Sequence, residues 1–144
     1  KKRPLGSAER EGLGDLGDRL QEALPAISLT GHSALSTAFL NDVAPELVFA
    51  QQVYGYGRRG DILAAISTSG NSVNVVNAAR VAKARGLSVI SMTGKTGGVL
   101  KEISDVCLAV PAEVTADVQE LHLPVYHTLC AMLEEHFFPD TDAK

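Results

Sequence analysis

The sequence predicts an α/β fold built on a doubly wound parallel sheet. Short aliphatic runs at residues 61–67, 88–93 and 106–110 have the nearly continuous apolar character of strands that are buried on both faces. Between and after these runs, apolar residues recur at the spacing of a helix. Such an alternation of strands and helices folds into a parallel sheet with right-handed crossovers and helices on both faces.

The chain is expected to begin with an arm and a short helix at residues 1–24. Residues 1 to about 14 contain several Gly and Pro residues and no apolar periodicity, which predicts a flexible segment. Pro25 ends the helix that follows, and the apolar face of that helix consists of Leu16, Leu20 and Leu24. No strand is predicted in this region, so at least one element of the fold is expected to precede Lys1.

A strand at residues 26–30 and two helices at 34–40 and 45–54 are predicted next. Residues 55–60 match the pattern GxGxxG literally. A dinucleotide fingerprint follows a strand and opens a helix, whereas this run follows a helix and enters a strand. We therefore predict a connector at this position and not a nucleotide site.

The same alternation continues to the end of the chain. Gly86 ends one helix and Thr115 can cap the last one. The run at 94–98 is a strand-to-helix loop and not a Walker A motif, because Val89 stands where that motif needs a glycine. The predicted elements after residue 67 are a helix at 73–85, a strand at 88–93, a short helix ending near Ser104, a strand at 106–110 and a helix at about 116–138.

The composition excludes several classes of partner. A formal net charge of −4 provides no basic field for a nucleic acid. No apolar run is long enough to span a membrane, and no signal peptide is visible. Cys107 and Cys130 lie in apolar segments and form no CxxC pair, so we expect reduced thiols and a cytoplasmic protein.

Residues 67–72 are the strongest candidate for a binding site, and they comprise Ser67, Thr68, Ser69, Gly70, Asn71 and Ser72. A loop of this kind leaves backbone N–H groups unpaired at the positive end of a helix, and its hydroxyl groups add donors. The sequence therefore predicts a site for an anion the size of a phosphate. No Lys or Arg occurs at residues 61–79, which favours a small phosphorylated metabolite. An ordinary turn in which Ser72 is only an N-cap is an equal alternative.

Four further residues are candidates for contact with a substrate. His32 directly follows the strand predicted at 26–30, at the carboxyl edge where open α/β sheets bind ligands. On the last helix, Glu120 and His127 lie about 20° apart around the axis, and Gln119 lies about 80° from His127. A His beside a carboxylate can transfer protons at neutral pH. The alternatives are a capping or solvent-facing His32 and a final helix of mixed polarity with a core histidine.

At this point the motifs resemble those of a known family. They read PAISLT at 25–30, GDILAAISTSGNSVNVVNAA at 60–79, TGKTGG at 93–98 and TADVQELHLPVYHTLC at 115–130. These segments are similar to the sugar isomerase (SIS) domain, and most closely to phosphoheptose isomerases. The resemblance implies a flavodoxin-like SIS domain at residues 25–138, followed by a tail at 139–144.

The resemblance also implies a function. Family members rearrange phosphosugars between aldose and ketose through an enediol, usually as homotetramers with active sites between subunits. By resemblance, Ser67, Thr68, Ser69 and Ser72 bind the phosphate, and Asn71 lies in the same loop. His32 aligns with an Asp that contacts the substrate in phosphoheptose isomerases, which implies that the sugar need not be a heptose. His127 is implied as a proton-transfer residue with Glu120 nearby. In members that bind zinc, Gln119 and His127 are two of the ligands.

One part of the family pattern is missing from this sequence. Relatives carry a GNGGSA loop and a following helix with a His and a Glu, which supply the other metal ligands and the second acid/base group. Residues 6–8 read GSA, but no such helix follows them. The second acid/base residue is therefore expected upstream of Lys1.

Two functions are carried forward from the sequence. The first is a phosphosugar aldose–ketose isomerase. The alternative is a non-catalytic SIS module that senses a phosphosugar or binds a protein, and His127 favours the enzyme. A nucleotide-binding enzyme ranks third, because both of its apparent motifs fail on context.

Overall fold

The computed structural model describes residues 5–6 and 11–139 of the 144-residue chain. Most of the arm expected at 1–14, and the tail after Pro139, therefore lie outside the described residues. The chain forms two compact units. One unit spans Ser28–Val125, and the other combines the described parts of Lys1–Ile27 and Tyr126–Lys144.

A three-stranded parallel sheet forms the centre of the larger unit. Its strands are β1 (Ile62–Ile66), β2 (Ser88–Thr93) and β3 (Val106–Ala109), in the spatial order β1-β2-β3. In the register, Ile66 lies beside Met92 and Thr93 lies beside Ala109. The α/β class and the parallel sheet predicted from the sequence are confirmed, and the carboxyl ends of the strands lie at one edge.

The helices follow the predicted order. Helix α1 (Ser33–Ala38) continues as a π turn at Phe39–Val43. A 3-10 turn at Pro45–Leu47 leads into α2 (Val48–Tyr56). The remaining helices are α3 (Val73–Ala84), α4 (Gly98–Ile103) and α5 (Thr115–Phe137).

The core lies between α3 and one face of the sheet. Strands β1 and β2 contribute Ala65 and Val89, which are 3% and 0% exposed. Helix α3 contributes mostly small side chains, which let its backbone approach the strands closely. The nine buried residues of this cluster are Val53, Ala65, Val76, Ala78, Ala79, Ala82, Leu87, Val89 and Leu100.

Two predicted elements are wrong. Residues 26–30 belong to no strand, because Ile27 stays 58% exposed and gains no burial. The carbonyl of Leu29 accepts a hydrogen bond from Gln52 Nε2 at 2.9 Å instead of joining a ladder. The helix expected from Leu16 to Leu24 is reduced to a single 3-10 turn at Gly14–Leu16.

The failure of the short N-terminal helix has a simple physical reason. Gly17 lies inside this segment, and a glycine costs a helix interior about 1 kcal/mol relative to alanine. The three leucines stay between 41% and 58% exposed, so burial offsets none of this cost. In this segment the helical spacing of apolar residues was therefore not enough to form a stable helix.

Candidate functional site

The serine-rich loop, residues 67–72, connects the carboxyl end of β1 to the start of α3. The N–H of Ser67 donates to the carbonyl of Met92 at 3.0 Å, which extends the pairing of β1 with β2 by one residue. The N–H of Gly70 then donates back to the carbonyl of Ser67 at 3.0 Å. The loop therefore begins as a tight turn at the carboxyl edge of the sheet, where α/β folds bind ligands.

Hydrogen bonds inside the loop hold its polar side chains in place. The hydroxyl groups of Ser67 and Ser72 lie 2.9 Å apart, and the N–H of Ser72 donates to Ser67 Oγ at 3.4 Å. The N–H of Asn71 donates to Ser69 Oγ at 3.1 Å. Ser67 is buried, whereas Ser69, Asn71 and Ser72 are exposed. Solvent and a solute can thus reach the outer side of the loop.

Several donors in the loop have no protein partner. Among the residues that the structure describes, the N–H groups of Thr68 and Ser69 donate to no protein acceptor. Ser72 occupies the N-cap position of α3, but its side chain makes no capping hydrogen bond. A helix of 12 residues carries roughly half a positive charge at this end. Free donors and a helix terminus together favour an anion at this position.

A second loop supports the first. The glycine loop, residues 94–98, connects β2 to α4. The N–H of Gly94 donates to the carbonyl of Thr68 at 2.8 Å, and the N–H of Leu100 donates to the carbonyl of Gly70 at 3.0 Å. The side chain of Asn71 accepts from the N–H of Val99 at 2.9 Å. The first amides of α4 are therefore satisfied by the serine-rich loop, whereas the start of α3 has no side-chain cap.

Two glycines make this close approach possible. Gly70 has φ +68°, and a Cβ there would lie 2.0 Å from the carbonyl oxygen of Gly97. Gly98 has φ +52°, and a Cβ there would lie 2.5 Å from the carbonyl oxygen of Ser69. Residues 94–98 were predicted only as a strand-to-helix loop, and their contact with the serine-rich loop was not predicted. The available signal was the presence of glycines directly after two neighbouring parallel strands.

An open cavity of about 450 Å³ adjoins the first turn of α3. Val73 and Asn74 line it from that turn, and Pro45 and Phe49 line it from the opposite side. Its polar lining comes from Thr30, Ser36, Glu46 and Asn74. The cavity thus places apolar and hydrogen-bonding groups beside the residues that follow the serine-rich loop.

His32 lies at the N-cap of α1, next to an aromatic ring. Its ring stacks on Tyr56, with 5.4 Å between the ring centroids. Tyr56 is the last residue of α2, and the other end of that helix, Val48, lines the cavity. The side chain of His32 therefore packs on Tyr56, and its role as a substrate contact stays a prediction.

The candidates on α5 fall on its outer face. Gln119 and Glu120 are exposed, whereas Val118 before them and His122 after them are buried. His127 is exposed and makes an edge contact with the ring of Tyr126 at 4.8 Å. Gln119 and Glu120 belong to the larger unit, and His127 belongs to the smaller one.

The described residues contain neither a cluster of acidic, His and Cys metal ligands nor a membrane-spanning helix. No group of three or more His, Cys, Asp or Glu side chains is arranged to hold a metal ion within residues 5–6 and 11–139. The role of Gln119 and His127 as metal ligands therefore stays a prediction. None of the described helices is long and apolar enough to cross a membrane.

Comparison with known proteins gives the family. A family model described as the SIS domain matches residues 14–94, which include β1, β2 and the whole serine-rich loop. This chain belongs to the SIS domain family. The matched part of this SIS domain ends at Gly94, so helix α5 and its candidate residues lie beyond it.

Curated relatives of this SIS domain are phosphoheptose isomerases. One from Rhodospirillum rubrum is 43% identical over 112 residues, covering 78% of this chain and 60% of the relative. One from Nitratiruptor sp. is 44% identical over 117 residues, covering 81% of this chain and 63% of the relative. The chain thus spans about three fifths of the length of the curated relatives that it matches.

Solved structures agree with the fold described above. A phosphoheptose isomerase from Neisseria gonorrhoeae is 42% identical with a TM-score of 0.74, covering 76% of this chain and 62% of that one. A phosphoheptose isomerase from Francisella tularensis is 38% identical with a TM-score of 0.77, covering 80% of this chain and 62% of that one. The predicted SIS fold is therefore confirmed.

Proposed function

We propose that this SIS domain is part of a phosphosugar aldose–ketose isomerase similar to phosphoheptose isomerase. The observation that carries the proposal is the serine-rich loop, with free N–H groups at Thr68 and Ser69 and an uncapped helix terminus. The names of the relatives support the same substrate class. The phosphate would bind the loop through Ser67, Thr68, Ser69, Asn71 and Ser72.

The reaction requires a proton to move between two neighbouring carbons of the sugar. A base removes the proton from the carbon beside the carbonyl group while an acid protonates the carbonyl oxygen, which gives an enediol. The former carbonyl carbon then receives a proton and the other enediol oxygen loses its proton, which forms the new carbonyl group. We assign this transfer to His127, with Glu120 as the neighbouring carboxylate. His32 is proposed as a further contact of the substrate, and the open cavity beside α3 offers space for the sugar.

Zinc, oligomeric state and location complete the proposal. Gln119 and His127 are proposed as two of the ligands of a zinc ion. No step of the reaction is assigned to the metal, because the described residues contain no complete set of ligands.

We propose a homotetramer in the cytoplasm, without a nucleic acid or membrane partner. Multi-angle light scattering tests the tetramer, and a monomeric mass at micromolar concentration would contradict it.

The activity is tested by incubating the protein with sedoheptulose 7-phosphate and with ketose phosphates of five to seven carbons. We expect turnover of at least one of them. The variant His127→Asn should lose about 10²-fold or more of that turnover while it still binds the sugar phosphate, because only proton transfer is removed. The control His136→Asn changes another exposed histidine of α5 and should leave the rate unchanged.

Two results would overturn the proposal. Full activity of His127→Asn would remove this imidazole from the reaction. Binding of a sugar phosphate by the wild-type protein, without turnover of any member of the panel, would favour the non-catalytic sensing module.

A further inference from the structure

His122 is a buried polar side chain to which the proposed reaction gives no role. It lies on α5 and is 4% exposed, in contrast to the exposed Gln119 and Glu120 on the same helix. Its Nε2 atom lies 3.1 Å from the carbonyl oxygen of Thr93, the last residue of β2. A carbonyl oxygen can only accept, so Nε2 carries the hydrogen and the imidazole is the donor.

The carbonyl of Thr93 belongs to the same peptide group as the N–H of Gly94. This peptide group is planar and its C=O and N–H point in opposite directions. The N–H of Gly94 donates to the carbonyl of Thr68 at 2.8 Å. The imidazole of His122 and the carbonyl of Thr68 are thus connected through one rigid peptide plane.

A second peptide group, between Thr68 and Ser69, extends this series of hydrogen bonds. The carbonyl of Thr68 belongs to the peptide group that contains the N–H of Ser69, and that N–H has no protein acceptor among the described residues. The hydrogen bonds therefore run in one direction, from His122 through Thr93–Gly94 to Thr68–Ser69. Aligned hydrogen bonds polarise one another, which strengthens the last donor of such a series.

We propose that His122 is a positioning residue for phosphate binding. By donating to Thr93 it fixes the two peptide planes and aims the free N–H of Ser69 at the anion site. The nature of the ligand rests on the proposed function, whereas the hydrogen-bond series is independent of it. His122 acts through these peptides and does not itself contact the phosphate.

The surroundings of the series restrict other arrangements. The carbonyl of Thr93 accepts a second hydrogen bond, from the N–H of Val110 at 3.0 Å, so β3 also holds this peptide. The hydroxyl of Thr93 donates to the carbonyl of Gly94 at 3.1 Å. A Cβ at Gly94 would lie 2.8 Å from the carbonyl oxygen of Thr68, so the two loops are already in close contact. Loss of His122 thus removes one support and leaves the strand pairing in place.

The test compares three variants of the protein. His122→Leu removes the donor, and His122→Gln restores an N–H at a similar distance from the backbone. Val53→Ala is the control for general destabilisation, because Val53 lies in the core on α2 and takes no part in the hydrogen-bond series. Binding of inorganic phosphate is measured by calorimetry, and hydrogen exchange of the Gly94 N–H is measured by NMR.

We expect His122→Leu to weaken phosphate binding about 3- to 10-fold, as loss of one hydrogen bond implies, and to speed exchange at Gly94. His122→Gln should recover most of both effects, and Val53→Ala should show neither at a similar loss of Tm. Equal behaviour of His122→Leu and Val53→Ala would overturn the inference. If the wild-type protein binds no phosphate, the proposed function fails, and exchange at Gly94 alone decides whether His122 holds the peptide.

Discussion

Ser72 of the serine-rich loop occupies a helix N-cap position without capping the helix. Ser72 stands at the N-cap of α3, yet its hydroxyl pairs with Ser67 and caps nothing. The N–H of Val75 donates to Asn74 Oδ1 at 2.9 Å. The N–H groups of Val73 and Asn74 donate to no protein acceptor among the described residues, so they are available to an anion. The sequence alone left open whether Ser72 is a cap or part of an anion site, because both uses need the same residue types.

Replacement of Ser72 by Asp separates these two uses. A carboxylate is a good N-cap and interacts favourably with the helix terminus, so stability should stay equal or rise by up to about 1 kcal/mol. The same negative charge should abolish phosphate binding by repulsion. Calorimetry with inorganic phosphate and thermal unfolding measure the two effects. Ser33→Asp, at the start of α1, is the control and should bind phosphate normally.

Gly70→Ala tests the contact between the two loops. A Cβ at this position would lie 2.0 Å from the carbonyl oxygen of Gly97, at a φ of +68°. We expect a loss of more than about 2 kcal/mol in the free energy of unfolding, together with loss of phosphate binding. Gly55→Ala is the matched control: it lies in α2 with nothing within 4 Å of its Cβ position, and it should stabilise the helix slightly. Similar stability of the two variants would contradict the described packing.

At the level of elements, long and periodic segments were predictable from the sequence. Helix α3 and strand β2 agree with their predicted bounds to within a residue, because each combines a clear apolar period with strong end signals. Residues 26–30 have the composition of a strand, but they form none, and Ile27 stays exposed. Whether such a segment is buried depends on its tertiary neighbours, which its composition does not reveal. The contact between the glycine loop and the serine-rich loop depends on which strands are neighbours, so local sequence could not reveal it.

Asp105 joins three elements and provides a test at this scale. Asp105 lies directly before β3. Its carboxylate accepts hydrogen bonds from Lys83 Nζ of α3 at 2.5 Å and from the N–H of Val89 in β2 at 2.7 Å. The hydrogen bond from Lys83, followed by that from Val89, lowers the pKa of Asp105 below its ordinary value of 3.8. A lowered folded-state pKa stabilises the protein above the unfolded pKa, and this contribution is lost as the pH falls through the folded pKa.

We therefore expect Asp105→Asn to be less stable than the wild-type protein at pH 7, with a difference that shrinks below about pH 4. Urea unfolding at pH 7, 5 and 3 measures the difference. Glu102→Gln removes an exposed carboxylate on α4 and should change stability little at any of these pH values. A difference between Asp105→Asn and wild type that stays constant with pH would show that the charge of Asp105 has no part in it.

At the scale of the whole molecule, the SIS domain contains the candidate phosphate site and spans about three fifths of the length of its curated relatives. Its fold agrees with two solved phosphoheptose isomerases over 62% of each of those chains. The serine-rich loop lies inside the family match, whereas the residues assigned to proton transfer lie beyond it. The candidate phosphate site can therefore be tested on this chain independently of the residues assigned to proton transfer.

The proposed phosphate site consists of free backbone N–H groups between β1 and α3 that bind the phosphate of a sugar phosphate. The most direct measurement is an NMR titration of the protein with sedoheptulose 7-phosphate, compared with the same sugar without its phosphate. We predict large amide shifts at Thr68 and Ser69 with the phosphorylated sugar and none with the other. Absence of shifts at these two amides, or equal shifts with both sugars, would contradict the account.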